Sequence, residues 1–105
     1  MNTKFELTSE SIEKNGVKLY RIKALKDFGS VKAGDLGGFV EKESNLSEEG
    51  NAWVGGDSQV YGNAWVREDA RVSGNAQVYG NAKVYGNAWV REDARVSGNA
   101  QVYGD

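Results

Sequence analysis

The sequence contains no cysteine, no histidine and no proline. Without cysteine there is neither a disulfide framework nor a thiolate zinc site, so redox chemistry says nothing about the compartment. Without histidine the chain lacks the commonest general base and metal ligand. Without proline its turns depend on glycine, asparagine and aspartate. These absences point away from catalysis and predict neither a cofactor nor a metal.

Charge and hydropathy set further limits. The net charge of −2 predicts no general attraction to nucleic acid or to an anionic membrane. The sequence has no apolar run of about eighteen residues, and its first residues lack the apolar core of a signal peptide. We therefore predict one modest cytoplasmic domain with no nucleic-acid or membrane partner.

The dominant pattern is a six-residue repeat, G-N-A-x-V-x, which begins at Asn51. Valine recurs nine times at an interval of six, at positions 54, 60, 66, 72, 78, 84, 90, 96 and 102, and a small residue precedes each valine by two positions. A helix would need apolar positions about every 3.6 residues. A strand fits, because alternating side chains would turn the small residue and the valine inward together. Gly-Asn then turns the chain.

Short strands that turn at equal intervals wind into a parallel β-solenoid, in which each coil completes the backbone hydrogen bonds of its neighbours. The repeat resembles the hexapeptide repeat of left-handed β-helices, where an aliphatic residue is followed four positions later by a small one, as in Val60 with Ala64. The predicted fold class is thus all-β: a left-handed parallel β-helix of about four coils with an N-terminal β-hairpin cap. Such a fold does not fix a function, because it carries acyltransferases, other enzymes and non-catalytic proteins.

Residues 1–35 do not follow the repeat. Two alternating segments flank Asn15-Gly16, which is a strong hairpin signal. We expect a β-hairpin, with a turn of helix around Ser9–Lys14, that covers the edge of the first coil. The solenoid is assigned to residues 36–105.

The start of the solenoid is irregular. Gly38 with Val40 and Ser44 with Leu46 already follow the small-x-aliphatic rule. The step from Leu46 to Val54 is eight instead of six. Because solenoids absorb insertions at corners, we expect residues 47–49 to bulge outward.

The segment Asp27–Gly34, followed by Gly37–Val40, reads D-F-G-S-V-K-A-G and G-G-F-V. It resembles the D-F-x-x-V-K-A-G-x-x-G-G-aromatic-V block of uncharacterised bacterial and prophage hexapeptide-repeat proteins of the YdcK type, over residues 4–60. The resemblance implies a left-handed β-helix in a phage or bacterial setting. It implies no established activity.

With about eighteen residues per coil, residues eighteen apart stack in columns spaced by roughly 4.8 Å. Because valine and alanine fill the interior, the repeat aromatics are expected to face outward. The candidate binding residues are Trp53, Trp65, Trp89, Arg71, Tyr61, Tyr79, Tyr85 and Tyr103. Exposed aromatic surfaces often contact partners. They could equally stabilise neighbouring coils, by roughly 0.2–1 kcal/mol per pair, with Arg71 adding cation–π contact between Trp53 and Trp89.

Residues 60–80 are identical to residues 84–104, an offset of twenty-four. This offset equals one coil of about eighteen residues plus one hexad, so the second copy is expected on the next face of the solenoid. Such a shift would not reproduce a site that depends on particular residues of one face. A site of that kind is therefore expected at the N-terminal cap or between subunits instead of on the repeats. The two Arg-Glu-Asp-Ala-Arg segments, 67–71 and 91–95, are interpreted as solvated ion pairs of little energetic weight, and not as a catalytic carboxylate pair.

Two classes of function remain. Acyltransferases of this fold use a histidine at a groove between subunits of a trimer, and this chain has none, so a degenerate acyltransferase-like protein is the least favoured reading. The favoured one is a non-catalytic phage-type protein that binds a host protein or a small ligand, one version being interference with host defence. The alternative is a structural spacer or assembly module. Because Asp105 ends a repeat without a cap, a homo-oligomer, dimer or trimer, is predicted.

Overall fold

A computed structural model describes residues 4–14, 16–29, 31–48 and 50–104. Apart from a 3-10 turn at Glu43–Asn45, its regular elements are strands. They are β1 (Phe5–Lys14), β2 (Val17–Ala24), β3 (Leu36–Val40), β4 (Trp53–Val54), β5 (Gln59–Val60), β6 (Trp65–Val66), β7 (Arg71–Val72), β8 (Gln77–Val78), β9 (Lys83–Gly86), β10 (Trp89–Val90), β11 (Arg95–Val96) and β12 (Gln101–Gly104). Most repeat strands are two residues long, because a corner follows each valine.

The repeat strands stack in parallel into three faces. Face one contains β4, β7 and β10, face two contains β3, β5, β8 and β11, and face three contains β6, β9 and β12. Pairing joins residues eighteen apart, as Trp53 with Arg71 and Val54 with Val72. The predicted all-β solenoid of about four coils is confirmed, and its left-handedness stays a prediction.

The interior of the solenoid is a column of valines and small residues. Valines 54, 60, 66, 72, 78 and 84 are at most 1% exposed. Ser58, which stands where other repeats have alanine, is also buried, and its hydroxyl donates to the carbonyl of Gly55 at 2.5 Å. Each fully buried valine stabilises the fold by about 1.5–3 kcal/mol relative to an exposed one. The pattern of small residue and valine therefore decides which side of every strand faces in.

The N-terminal hairpin extends face two. Strands β1 and β2 pair antiparallel, and β2 pairs antiparallel with β3, so the edge of β3 is covered as predicted. Phe5 and Ile22 join the same hydrophobic cluster as the valines. The helical turn predicted around Ser9–Lys14 is wrong, because these residues belong to β1, whose pairing with β2 is interrupted by a bulge after Leu7 and resumes over 11–14. Asn15 lies outside the described residues, and the domain boundary at 35/36 stays a prediction.

The irregular first coil has the predicted insertion. Val40 pairs with Val60 and Leu46 with Val66, twenty residues on, whereas Val54 pairs with Val72, eighteen on. The two extra residues therefore lie between Leu46 and Val54. Glu49, part of the expected bulge, lies outside the described residues.

The inward position assigned to Ser44 is wrong. Ser44 is exposed, and Asn45 is buried instead. The 3-10 turn brings Asn45 inside, where its Oδ1 accepts from the amides of Glu41 and Lys42 and its Nδ2 donates to the carbonyl of Ala64 at 2.7 Å. Those bonds satisfy a polar side chain that would otherwise destabilise the core.

Two corners carry glutamate where the others carry glycine. Glu68 and Glu92 have φ of 62° and 60°, in the left-handed region that disfavours a residue with a Cβ. The Gly86 amide donates to Oε1 of Glu68 at 3.0 Å, from the coil above. Among the described residues, the Glu92 carboxylate has no such donor.

Replacing Glu92 with glycine is expected to stabilise the fold by about 0.5–1 kcal/mol, because the strained corner is relieved and no hydrogen bond is lost. Replacing Glu68 with glycine should destabilise it by about 1 kcal/mol, since a bond to a charged group is lost. Urea denaturation of both variants measures the difference. The two sites share the segment Arg-Glu-Asp-Ala-Arg, so each is the other's control, and equal shifts would contradict the role given to the Glu68 carboxylate.

Candidate functional site

The candidate site is the column Trp53, Arg71 and Trp89 on face one. Arg71 pairs with Trp53 of the coil below and with Trp89 of the coil above. Since side chains alternate along each strand and the valines next to these residues are buried, all three point outward. The guanidinium-bearing residue thus lies between two indoles.

Trp53 is held tightly at the base of this column. The Phe28 ring meets it edge-on, with centroids 5.4 Å apart and planes at 69°. A Cβ at Gly37 would lie 2.7 Å from Cζ2 of Trp53, so only glycine leaves room for the indole. The segment before the solenoid therefore fixes one wall of the site.

Trp89, at the other end of the column, is more exposed to solvent than Trp53. Its Nε1–H donates to Oγ of Ser73 at 3.0 Å, and the Arg91 guanidinium lies 4.4 Å from its ring centroid. The residue is still 54% exposed. One indole face is thus covered by a cation while much of the side chain stays open to a ligand.

Arg71 does not make the cation–π ladder predicted from its position. In the described ranges, the cation–π pairs of the face-one and face-three tryptophans are made by Arg67, Lys83 and Arg91. Both ion pairs found there belong to Arg21. The long Arg71 side chain reaches instead toward the segment before the solenoid, where Nη2 would lie 3.9 Å from a Cβ at Gly29. Its guanidinium has no hydrogen-bond acceptor among the described residues.

Two hollows flank Arg71. The apolar hollow, of about 180 Å³, is lined by Val31, Asn51, Trp53, Gly55, Arg71, Val72, Ser73 and Trp89. The polar hollow, of about 370 Å³, is lined by Asn51, Asp69, Arg71, Asn87, Ala88 and Trp89. They share Asn51, Arg71 and Trp89, so both open on the same cation. Of the described lining residues, one carries a carboxylate, Asp69 of the polar hollow.

The face-two tyrosines form a stack. The rings of Tyr61 and Tyr79 are 5.1 Å apart and nearly parallel, at 6°. Burial, with a smaller effect from Tyr79, raises the pKa of Tyr61. Both side chains point outward as predicted, but each covers much of the other.

Face three has a longer aromatic ladder. Trp65 lies 5.9 Å from Tyr85, and Tyr85 stacks on Tyr103 at 5.2 Å. The cations of Arg67 and Lys83 lie 4.0 and 5.7 Å from the Trp65 ring. These rings face outward as expected, and they also contact between coils. Tyr103, at 67%, is the most exposed large apolar residue of the described chain.

The two Arg-Glu-Asp-Ala-Arg segments are not the ion pairs that the sequence suggested. Arg67 and Arg91 each lie over the tryptophan two positions earlier in the chain. The spacing W-V-R was the missed signal, since residues i and i+2 of a strand share a face. The offset of twenty-four carries this Trp-Arg pair from face three to face one.

A buried lysine near the site was also missed. Lys4 is 0% exposed, its Nζ donates to the carbonyl of Ser47 at 3.0 Å and lies 4.7 Å from the Phe28 ring centroid. Burial, assisted by the positive charge of Lys26, lowers its pKa to about 8, against an opposing effect of Asp69. A perturbed amine can mark a functional group. Here it lies out of solvent, so a ligand in the hollows does not reach it.

In the part of the chain that the structure describes, no three His, Cys, Asp or Glu residues cluster closely enough to hold a metal ion. Within the same ranges no helix has the length and hydropathy needed to cross a bilayer. The described residues of face one offer recognition groups, namely a cation, amides and indoles, and none of them forms a nucleophile–base pair.

The fold defines this chain as a β-solenoid protein built from hexapeptide repeats. Residues 76–92 match the YdcK β-solenoid repeat. The chain is also 40% identical, over 50 residues, to "Uncharacterized acetyltransferase YdcK" of Escherichia coli (strain K12). That region is 48% of this chain and 15% of the relative, so the comparison reaches only a small part of the larger protein. The predicted resemblance to YdcK-type proteins is confirmed.

Proposed function

We propose that this chain is a non-catalytic binding module whose recognition site is the Trp53-Arg71-Trp89 column of face one. The observation that carries the proposal is Arg71, whose guanidinium lines both hollows without an ion-pair partner among the described residues. Exposed arginine and tryptophan side chains are enriched where proteins contact partners. Small-ligand sites likewise combine apolar walls with a few polar groups.

The same proposal includes the compartment, the phage origin and the oligomeric state of the module. The module acts in the cytoplasm of a bacterial host as a phage or prophage protein that binds a host molecule, with host defence as one process it could oppose. It acts as a homo-oligomer, which leaves face one accessible in each copy. The basis of the setting is the resemblance of its opening block to bacterial and prophage proteins.

A structural spacer is the second candidate, and the tyrosine stacks favour it. The 5.1 Å contact on face two and the 5.2 Å contact on face three support this candidate, because stacked rings on neighbouring strands stabilise a sheet. Face one differs because Arg71 interrupts its column. The spacer hypothesis therefore accounts for faces two and three better than for face one.

The relative's name raises acetyl transfer as a third candidate. Without histidine, such a reaction would need another base beside the acceptor. Among the described residues, the Asp69 carboxylate is the one acidic group that lines the two hollows, and it has no cationic partner within ion-pair distance. We rank acetyl transfer below binding, because the described lining of the hollows offers no base other than the carboxylate of Asp69.

The test uses Trp89→Ser on face one and Trp65→Ser on face three. Both residues lie within the duplicated 21-residue segment, so their sequence neighbours are the same. The full chain is incubated with the small-molecule and protein fractions of a bacterial lysate, and retained molecules are identified by mass spectrometry. We expect Trp89→Ser to lose a specific retained molecule that Trp65→Ser keeps.

Two results would contradict this expectation. Equal retention by both variants would remove face one as the site, and no specific retention by the unchanged protein would favour the spacer. Thermal unfolding of each variant checks that the solenoid is intact. An assay of acetyl transfer on the unchanged protein, expected to show none, tests the third candidate.

A further inference from the structure

We infer that the apolar hollow of face one is a site for a small aromatic carboxylate of a single ring. This inference rests on the proposed function and adds the chemistry of the ligand. It combines three properties of the hollow within the described residues: a cation without an ion-pair partner, a largely apolar lining, and no acidic side chain in that lining.

The Arg71 guanidinium favours a ligand that carries an anionic group. Arg71 presents a planar fork of donors, which matches a carboxylate through two parallel hydrogen bonds. In the described ranges, none of those donors is used by an acidic side chain. Asn51, which shares the lining, adds an amide donor whose side chain makes no hydrogen bond within the described residues. A carboxylate would satisfy both groups at once.

The apolar lining residues of the hollow favour a ligand whose uncharged part is a flat ring. Val31 and Trp53 give an apolar surface, and Gly55 leaves the indole edge of Trp53 open because it has no side chain. A Cβ at Gly55 would lie 3.5 Å from Cδ1 of Trp53. A flat ring placed there can contact the indole edge-on or offset, as aromatic pairs prefer.

The volume limits the ligand to one ring. The hollow measures about 180 Å³. Engineered apolar cavities of about 150 Å³ accept benzene. A benzene ring that carries one carboxylate is therefore close to the capacity of the hollow, whereas a fused polycyclic acid would extend into solvent.

Charge separates the two hollows. Asp69 lines only the polar hollow, so an anion there would meet a like charge beside Arg71. In the apolar hollow the anion meets the guanidinium without that repulsion. The same field disfavours a cationic ligand such as benzylamine, which would lie against Arg71.

The experiment titrates the full chain with benzoate, benzamide and benzylamine and follows indole chemical shifts and tryptophan fluorescence. Benzamide matches benzoate in shape and lacks its charge. We expect benzoate to bind about tenfold or more tighter than benzamide, since charge-assisted hydrogen bonds are roughly twice as strong as neutral ones, and benzylamine not to bind. Added salt should weaken the binding of benzoate only.

Two arginine variants locate the site. Arg71→Gln should reduce the affinity for benzoate at least about tenfold and leave that for benzamide unchanged. Arg95→Gln is the matched control, because the duplication places Arg95 in the same sequence surroundings on face two. Arg71→Lys should restore part of the affinity, since it keeps the charge and loses the fork.

Defined results would overturn the inference. Equal affinity for benzoate and benzamide, or an Arg71→Gln variant that binds benzoate as well as Arg95→Gln does, removes the carboxylate site. Either result leaves the proposed function standing if Trp89→Ser still loses a retained molecule that Trp65→Ser keeps. If the two tryptophan variants retain the same molecules, the proposed function falls by itself.

Discussion

Replacing Gly37 with alanine is expected to destabilise the protein by about 3 kcal/mol or more and to displace Trp53. The new Cβ would lie 2.4 Å from the carbonyl oxygen of Val54, and 2.7 Å from both Cγ1 of Ile22 and Cζ2 of Trp53. The carbonyl belongs to the solenoid backbone and cannot move without disturbing β4. Urea denaturation followed by tryptophan emission measures both the loss of stability and the change around Trp53.

Gly34→Ala is the control for this variant. Gly34 has φ of +93°, but nothing lies within 4 Å of its added Cβ, so only backbone strain opposes the substitution. That strain costs about 1–2 kcal/mol. A larger loss for Gly34→Ala than for Gly37→Ala would show that the close approach of β3 and β4 is not what limits residue 37.

Replacing Lys4 with methionine is expected to stabilise the protein near neutral pH by up to about 3 kcal/mol. Burial lowers the pKa of Lys4 from 10.5 to about 8, so between these values the unfolded chain binds more protons than the folded one. Stability of the unchanged protein should therefore rise with pH across that window. Below it the buried ammonium opposes folding in full. Methionine keeps the length of the side chain and removes the charge.

The difference between the variant and the unchanged protein is the measured quantity. Urea denaturation at several pH values from about 7 to about 11 should show it shrinking as Lys4 loses its proton in the unchanged protein. At the upper end the sign can reverse, because methionine lacks the 3.0 Å hydrogen bond to the carbonyl of Ser47. A difference that stays constant with pH would contradict the lowered pKa. Tyrosine ionisation affects both proteins and cancels in the comparison.

The columns of face one could be predicted because the repeat leaves little freedom. A strand with valine inside must place its neighbours outside, and equal coils must stack Trp53, Arg71 and Trp89. The conformation of Arg71 could not be predicted in this way. A long side chain has several staggered arrangements, and Arg71 takes one that brings Nη2 toward Gly29, which lies outside the regular repeat.

The first coil could be predicted less well for a related reason. Ser44 fitted the inward position by residue type, but the 3-10 turn replaced it with Asn45, whose backbone hydrogen bonds satisfy the buried amide. Lys4 resembled an exposed strand residue. Its burial depends on Phe28 and Ser47, which are distant in sequence, so a local pattern carries no sign of it.

The duplicated segment has a geometric consequence for how such a protein can grow. A copying unit of twenty-four residues on an eighteen-residue coil advances each copy by one third of a revolution. Successive insertions of this unit would place copies of the Trp-Arg pair on successive faces, along a helical path around the solenoid axis. Growth by eighteen would instead extend a single stripe, so the length of the inserted unit alone decides between a spiral and a straight row of recognition groups.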